Sequence, residues 1–258
     1  MQVGSYPTDR SFEVRIATLQ DLEDITGVAQ KGFPDDPEFD YRFPRRHEYP
    51  EDNHKWIKQE YKEYLCQPEK YIVVIVTASD FGGRAVSLSV WDKAVSLPHQ
   101  GGDLGVPDDP RKPVLRRDVD AANFREFKKA MSQGFTKFFG KYGDGQLHLW
   151  LLCTHPSFRR RGAATRLCEW GLRFANSRGL CVTVLASPMG KSLYEKLDFF
   201  VCDWFYINVE GDPTALKIWA LEYFNKEQKY NTGSLAHCWA QFWRALWTTK
   251  KTYGNVSL

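Results

Sequence analysis

Apolar and polar side chains alternate over residues 12–18 (Phe-Glu-Val-Arg-Ile-Ala-Thr), a period of two that predicts a half-buried strand. Thr18 then offers an N-cap, and Asp21, Glu23 and Asp24 put acids into the first turn of a helix reaching about Lys31. Residues 34–50 carry four prolines and many charges and are expected to form a long loop, with a second helix over 52–66. Tyr71–Ala78 is a β-branched run that predicts a strand, and residues 84–91 predict its antiparallel neighbour. Gly, Pro and Asp concentrate in 98–113, the mark of an irregular insertion. The pattern then predicts a helix over 121–139, a strand over 147–154, a helix over 162–177 and a strand over 180–186. A short helix over 191–197 and strands over 200–209 and 216–223 complete the series.

Strands interleaved with helices, without repeats or a low-complexity linker, imply one α/β domain over residues 10–224, carrying the insertion at 93–120. Residues 225–258 are expected to form a separate C-terminal helical extension. In it Leu235, Cys238, Trp239, Phe242 and Leu246 fall on one helical face, which suits docking on the domain body or on a second subunit, that is, a homodimer. A membrane-surface helix flanked by Lys250 and Lys251 is the alternative.

Composition narrows the function. A net charge of +3 without a basic block argues against a nucleic-acid partner. Aromatic residues at 15 % suit apolar walls around a site or a Trp-rich core. Cys66, Cys153, Cys168, Cys181, Cys202 and Cys238 are scattered, with no C-x-x-C pair, so reduced thiols are expected rather than disulfides or a metal site. The segment Met1-Gln2-Val3-Gly4-Ser5 has no features of a secretory signal, and no stretch is apolar enough to span a bilayer. A soluble, cytoplasmic protein is expected.

The chemically informative stretch is Leu147-His-Leu-Trp-Leu-Leu-Cys-Thr-His-Pro-Ser-Phe-Arg-Arg-Arg-Gly-Ala-Ala-Thr-Arg-Leu167. A strand ends at Thr154, a basic loop follows, and a helix starts near Gly162. A helix start leaves backbone N–H groups without internal partners and adds the positive end of the helix dipole, so the junction is an anion site. Gly162 and Ala164 leave room for a phosphate to approach the backbone, while Arg159, Arg160 and Arg161 add forked donors. An ordinary basic surface turn is the alternative.

Arg159-x-x-Gly162-x-Ala164 resembles the R/Q-x-x-G-x-G/A motif of the GNAT (Gcn5-related N-acetyltransferase) superfamily. The downstream Ser192-Leu-Tyr194-Glu-Lys-Leu197-Asp-Phe199 resembles that family's L-Y-x-K-x-G-F segment, with Asp198 where the family usually has Gly. Val14-Arg15-Ile-Ala-Thr18…Asp21 likewise resembles the family's first strand entering its first helix. The resemblance covers roughly residues 12–210. It implies a GNAT fold: a mixed, mostly antiparallel twisted sheet of about seven strands flanked by helices. It also implies acetyl-CoA as co-substrate, with Leu152, Cys153 and Thr154 along the pantetheine arm and Arg159, Arg160, Arg161, Gly162, Ala163 and Ala164 around the phosphates.

The implied activity is an acetyl-CoA-dependent N-acetyltransferase acting on a small-molecule amine by direct attack in a ternary complex. O-acylation of a metabolite and a non-catalytic coenzyme A-binding protein are the alternatives. Acyl transfer from a thioester needs an uncharged nucleophile, a stabilised oxyanion and a proton for the leaving thiolate. In the family a backbone N–H of the splayed central strand faces the thioester carbonyl, here around residues 152–154. Tyr194 matches the family's general acid, although a tyrosine merely packed on coenzyme A would occupy the same position. Regular alternation would project His148, Trp150 and Leu152 together. The glutamate of the histone-acetyltransferase branch aligns near Trp150 and is absent. His148 falls on the first of two histidines in serotonin N-acetyltransferases, as a base or as a buried structural residue. His155 reads as a turn residue, and Cys153 has no obvious activating partner for a ping-pong nucleophile.

The resemblance places the acceptor at the loop 33–53. Its acids Asp35, Asp36, Glu38, Asp40 and Glu48 and aromatics Phe33, Phe39, Tyr41 and Phe43 suit a cationic amine. Interleaved Arg42, Arg45, Arg46 and His47 equally suit internal ion pairs on a solvated loop.

Overall fold

The computed structural model describes residues 11–93, 104–208 and 215–224. Seven strands form one sheet: β1 (Phe12–Ile16), β2 (Tyr71–Ala78), β3 (Arg84–Asp92), β4 (Gln146–Thr154), β5 (Cys181–Ala186), β6 (Phe200–Ile207) and β7 (Leu216–Tyr223), in the order β1-β2-β3-β4-β5-β7-β6. Every neighbouring pair is antiparallel except β4 with β5. The helices are α1 (Leu22–Gly32), α2 (Pro37–Arg42), α3 (Pro50–Leu65), α4 (Ala121–Phe139), α5 (Ala163–Asn176) and α6 (Pro188–Lys196). The compact unit that holds these elements ends at Tyr223, and the helical extension expected over 225–258 lies outside the described residues.

β2 is apolar nearly throughout because helices cover both of its faces. Val74 and Val76 join Leu147, Leu149, Leu167 and Val184 in the layer under α5. Val73 and Ile75 point the other way, into the layer of Ile25, Val28, Ile57 and Tyr61 from α1 and α3. A third cluster, around Phe135, Phe139, Leu185 and Ile218, seats α4 on the far strands. Fully burying each of these large side chains is worth about 1.5–3 kcal/mol, so the three clusters dominate stability.

Local sequence signals account for the first turn. Thr18 and Asp21 form a capping box, and Asp21 also pairs with Arg15 at 2.6 Å. The predicted helix therefore opens as a short 3₁₀ turn, Leu19–Asp21, before α1. The expected long loop over 34–50 is interrupted by α2, whose start is capped by the Asp36 side chain with Pro37 in its first turn. The short helix was hidden by its proline count, yet proline at a helix start costs nothing because its missing N–H has no partner there.

Candidate active site

β4 and β5 run parallel only from Gln146↔Cys181 to Leu149↔Val184. Beyond that point β5 continues with β7, while β4 continues with β3 as far as Thr154. The two central strands therefore part. Into the gap opens a cavity of about 490 Å³, lined by residues 149–154 of β4, 184–187 at the end of β5, and groups from α1, α2, α3, α4, α5 and α6.

A bulge shapes the β4 wall. The register with β3 passes from Trp91↔Leu149 to Val90↔Leu151, leaving Trp150 as the extra residue. His148 and Trp150 share a face as expected, but Leu152 does not join them: it packs with Leu147 and Leu149 in the α5 layer, whereas Trp150 and Leu151 both turn toward the α1–α3 layer. Regular alternation fails because the inserted residue resets it.

The loop after β4 also departs from plain expectation. Arg160 has φ +63° and Gly162, at the start of α5, has φ +88°. Positive φ at these positions bends the backbone sharply just before the helix start, where the first N–H groups lack helical partners. Arg159, Arg160, Gly162, Ala163 and Ala164 all line the cavity, as do Leu152, Cys153 and Thr154. Arg159, however, spends its guanidinium on protein groups. It donates to the carbonyls of Gly32 (2.7 Å) and Thr154 (3.3 Å) and pairs with Asp35. Arg161, expected beside the phosphates, does not line the cavity. Its guanidinium lies over the rings of Phe12 (4.9 Å) and Phe158 (5.0 Å) and bonds Asp80 at 2.8 Å. The reversal of the chain at Arg160 turns the next side chain away.

His148, the candidate base, is buried and does not line the cavity. Its Nδ1 is 2.9 Å from the Thr183 hydroxyl, which donates to Gln146 Oε1 at 2.8 Å. Phe135, Phe139 and Trp150 surround its ring. His155 is a turn residue, accepting from the Ser157 N–H, and burial lowers its pKa. Tyr194 does line the cavity, its ring 5.6 Å from that of Phe199. Burial, reinforced by Cys168, Glu38 and Asp36, pushes the phenol well above its usual range. Asp198 adopts φ +63°, so the turn usually made by glycine forms here with a residue that tolerates that region.

Carboxylates supply what β4 does not. Asp36, Glu38 and Glu60 line the cavity together with Arg42, Phe127 and Met131. Burial raises the affinity of all three for a proton, and brings Glu38 to about 7 against the pull of Arg42. Asp36 accepts from the hydroxyl of Ser187, tying α2 to the start of α6. Asp36 and Glu38 belong to the loop singled out in the sequence. Glu60 was missed, because nothing local distinguishes it from the other acids of its helix. The alternative reading of that loop also holds in part, since Arg46 pairs with Asp40 at 2.6 Å and Arg42 with Glu38 at 3.7 Å. Among the described residues, no cluster of His, Cys, Asp and Glu could hold a metal ion, and no helix is long and apolar enough to cross a membrane.

Residues 133–199, which hold this loop, the gap and Tyr194, match the Acetyltransferase (GNAT) family. A protein of Stachybotrys chartarum named Acetyltransferase is 27 % identical over 210 residues, covering 80 % of this chain and 87 % of its own. Over residues 133–199 the chain is thus similar to the GNAT acetyltransferases.

Solved GNAT structures share its fold. A histone acetyltransferase HPA2 and related acetyltransferase from Corynebacterium glutamicum aligns with TM-score 0.53 at 20 % identity, covering 84 % of this chain and 99 % of that one. A mosquito arylalkylamine N-acetyltransferase-like 5b gives 0.54 at 14 %, covering 83 % and 100 %. An agmatine N-acetyltransferase gives 0.56 at 13 %, also covering 83 % and 100 %. These likenesses are of fold; the match over residues 133–199 and the Stachybotrys chartarum relative support an acyltransferase.

Proposed function

We propose that the protein is an acetyl-CoA-dependent N-acetyltransferase that acetylates the amine of a small molecule by direct attack in a ternary complex. The observation that carries this reading is the gap between β4 and β5, where the positive-φ loop and three carboxylates line one cavity. Along residues 150–154 the β4 edge facing the gap has no β5 partner, which fits the amides of a pantetheine arm. The N–H groups around residues 160–165 and the Arg160 guanidinium fit a diphosphate. Arg159 acts by holding α1, the loop and the end of β4 in register. Bound there, acetyl-CoA supplies an activated acyl group.

Tyr194 is the proton donor to the leaving sulfur, because a phenol pushed above its usual range stays protonated at neutral pH. Burial likewise pushes the Cys153 thiol up, and a thiol that stays protonated is a poor nucleophile. That favours direct transfer over an acyl-cysteine route. The carboxylates suit a cationic amine, and two fold relatives bear amine-acetyltransferase names. The test is calorimetry with acetyl-CoA followed by a panel of small amines and alcohols read by mass spectrometry. Saturable binding with acetylated amines among the products is expected. No binding, or acylated alcohols alone, would overturn the reading.

A further inference from the structure

The three cavity carboxylates are not equally placed to meet an amine. Asp36 is committed to the Ser187 hydroxyl and, at 3.3 Å, to the N–H of Glu38 as the cap of α2. Glu38 faces Arg42 at 3.7 Å. Glu60 differs from both. It accepts a 2.8 Å hydrogen bond from a neutral donor, the Tyr64 hydroxyl, and among the described residues it has no cation within ion-pair distance. An anionic group in a desolvated cavity without its own counter-ion attracts a cation from outside.

Tyr64 connects this carboxylate to the reaction strand. Its hydroxyl accepts from the Trp150 indole N–H at 2.8 Å while donating to Glu60, so both roles of the hydroxyl are used. Its ring is held edge-on by Tyr61 and Tyr71, at 5.9 and 4.9 Å. Trp150 is the bulged residue, standing where β4 leaves β5. A helix some ninety positions upstream thus delivers a carboxylate to the place on β4 where no acidic side chain occurs.

Resting on the reading of amine acetylation above, we propose that Glu60 receives the acceptor's ammonium group and takes its proton, positioned for this by Tyr64 and, through it, by Trp150. One N–H bond of the ammonium breaks as a Glu60 Oε–H bond forms. The freed nitrogen lone pair makes the C–N bond to the thioester carbonyl carbon, and the C–S bond breaks with its electron pair going to sulfur. Sulfur takes a proton from Tyr194, Tyr194 recovers one from the nitrogen, and Glu60 returns its proton to solvent. The products are an amide and a free thiol. Charges acting on Glu60 come from Arg42 on α2, Arg116 in the segment before α4, Glu63 on its own helix, and the phenols Tyr61, Tyr64 and Tyr71.

The test uses the full chain and a small amine that the native protein acetylates, comparing Glu60→Gln, Tyr64→Phe and, as control, Glu63→Gln. Glu60→Gln should lower kcat/KM by about 100-fold or more and abolish the acidic limb of its pH profile. Calorimetry should show weakened amine binding and undisturbed acetyl-CoA binding. Tyr64→Phe keeps the carboxylate but removes a donor to its charged form, so the acidic limb should move to higher pH. Glu63→Gln removes a like charge that raises the pKa of Glu60, so it should move the limb slightly the other way, to lower pH, with the rate retained. Native rates and an unmoved limb in Glu60→Gln would overturn the proposal. If Glu60→Gln loses acetyl-CoA binding as well, the fold has been disturbed and Tyr64→Phe decides, an unmoved limb again overturning it. Failure of the native protein to acetylate any amine would instead sink amine acetylation itself.

Discussion

Gly32, the last residue of α1, lies directly on Cys153 of β4: a Cβ added to it would stand 2.3 Å from the Cys153 sulfur and 2.8 Å from the carbonyl oxygen of Thr154. Helix end and strand end are in backbone contact at the cavity wall, and the Gly32 carbonyl accepts from Arg159. Gly32→Ala must push them apart. Overpacking of this kind costs about 1–3 kcal/mol, so urea unfolding should show that loss. Acetyl-CoA affinity should fall with it, because the displaced strand edge is the one assigned to pantetheine.

The three loop arginines should separate in their effects. Arg160 lines the cavity, whereas Arg161 is bound to Asp80 and the rings of Phe12 and Phe158. Arg160→Ala should weaken acetyl-CoA binding about tenfold, with a reduced dependence on salt. Arg161→Ala should lower thermal stability and change affinity little. Calorimetry at two ionic strengths checks both, and equal losses of affinity would refute the division.

Tyr194→Phe removes the proposed acid while keeping the ring against Phe199. Loss of a positioned general acid is expected to lower kcat about 100-fold with acetyl-CoA affinity retained. Single-turnover kinetics with a thiol-detecting reagent isolates the step. Unchanged kcat would reduce Tyr194 to packing.

Glu38 makes stability depend on pH with a defined sign. Its folded-state pKa is raised by burial from 4.5 to about 7, so between these values the folded protein holds a proton that the unfolded chain has released. Stability therefore falls as pH rises through that window. At one unit per 1.36 kcal/mol the effect is at most about 3 kcal/mol. Glu38→Gln cannot ionise, so its stability relative to the native protein should improve from pH 4.5 to pH 8 in thermal melts. A constant difference across that range would count against the burial argument.

Much of the fold was legible along the chain because its signals are local. The β-branched run Tyr71–Ala78, the helix Ala121–Phe139 and the strand Leu216–Tyr223 stand at their expected bounds, since periodicity and turn residues act over a few positions. The break between strand and helix at Gly162 was equally legible. A glycine with φ +88° before a helix start is a backbone requirement written into one residue.

The surroundings of the cavity arise from contacts that no local pattern encodes. The bulge at Trp150 shows only in its pairing with β3, and it sends Leu152 to the opposite face from the one alternation assigns. His148 becomes a core group because aromatic rings of α4 close over it. Arg161 turns outward because one positive φ, at Arg160, reverses the chain beneath it. Glu60 reaches the cavity because α3 packs so that its Tyr64 touches Trp150, residues 86 positions apart. Side-chain type and short-range spacing settle which segments are strands, helices and loops. Which side chains then share one cavity depends on registers, bulges and helix placements, and these are energies of long-range packing.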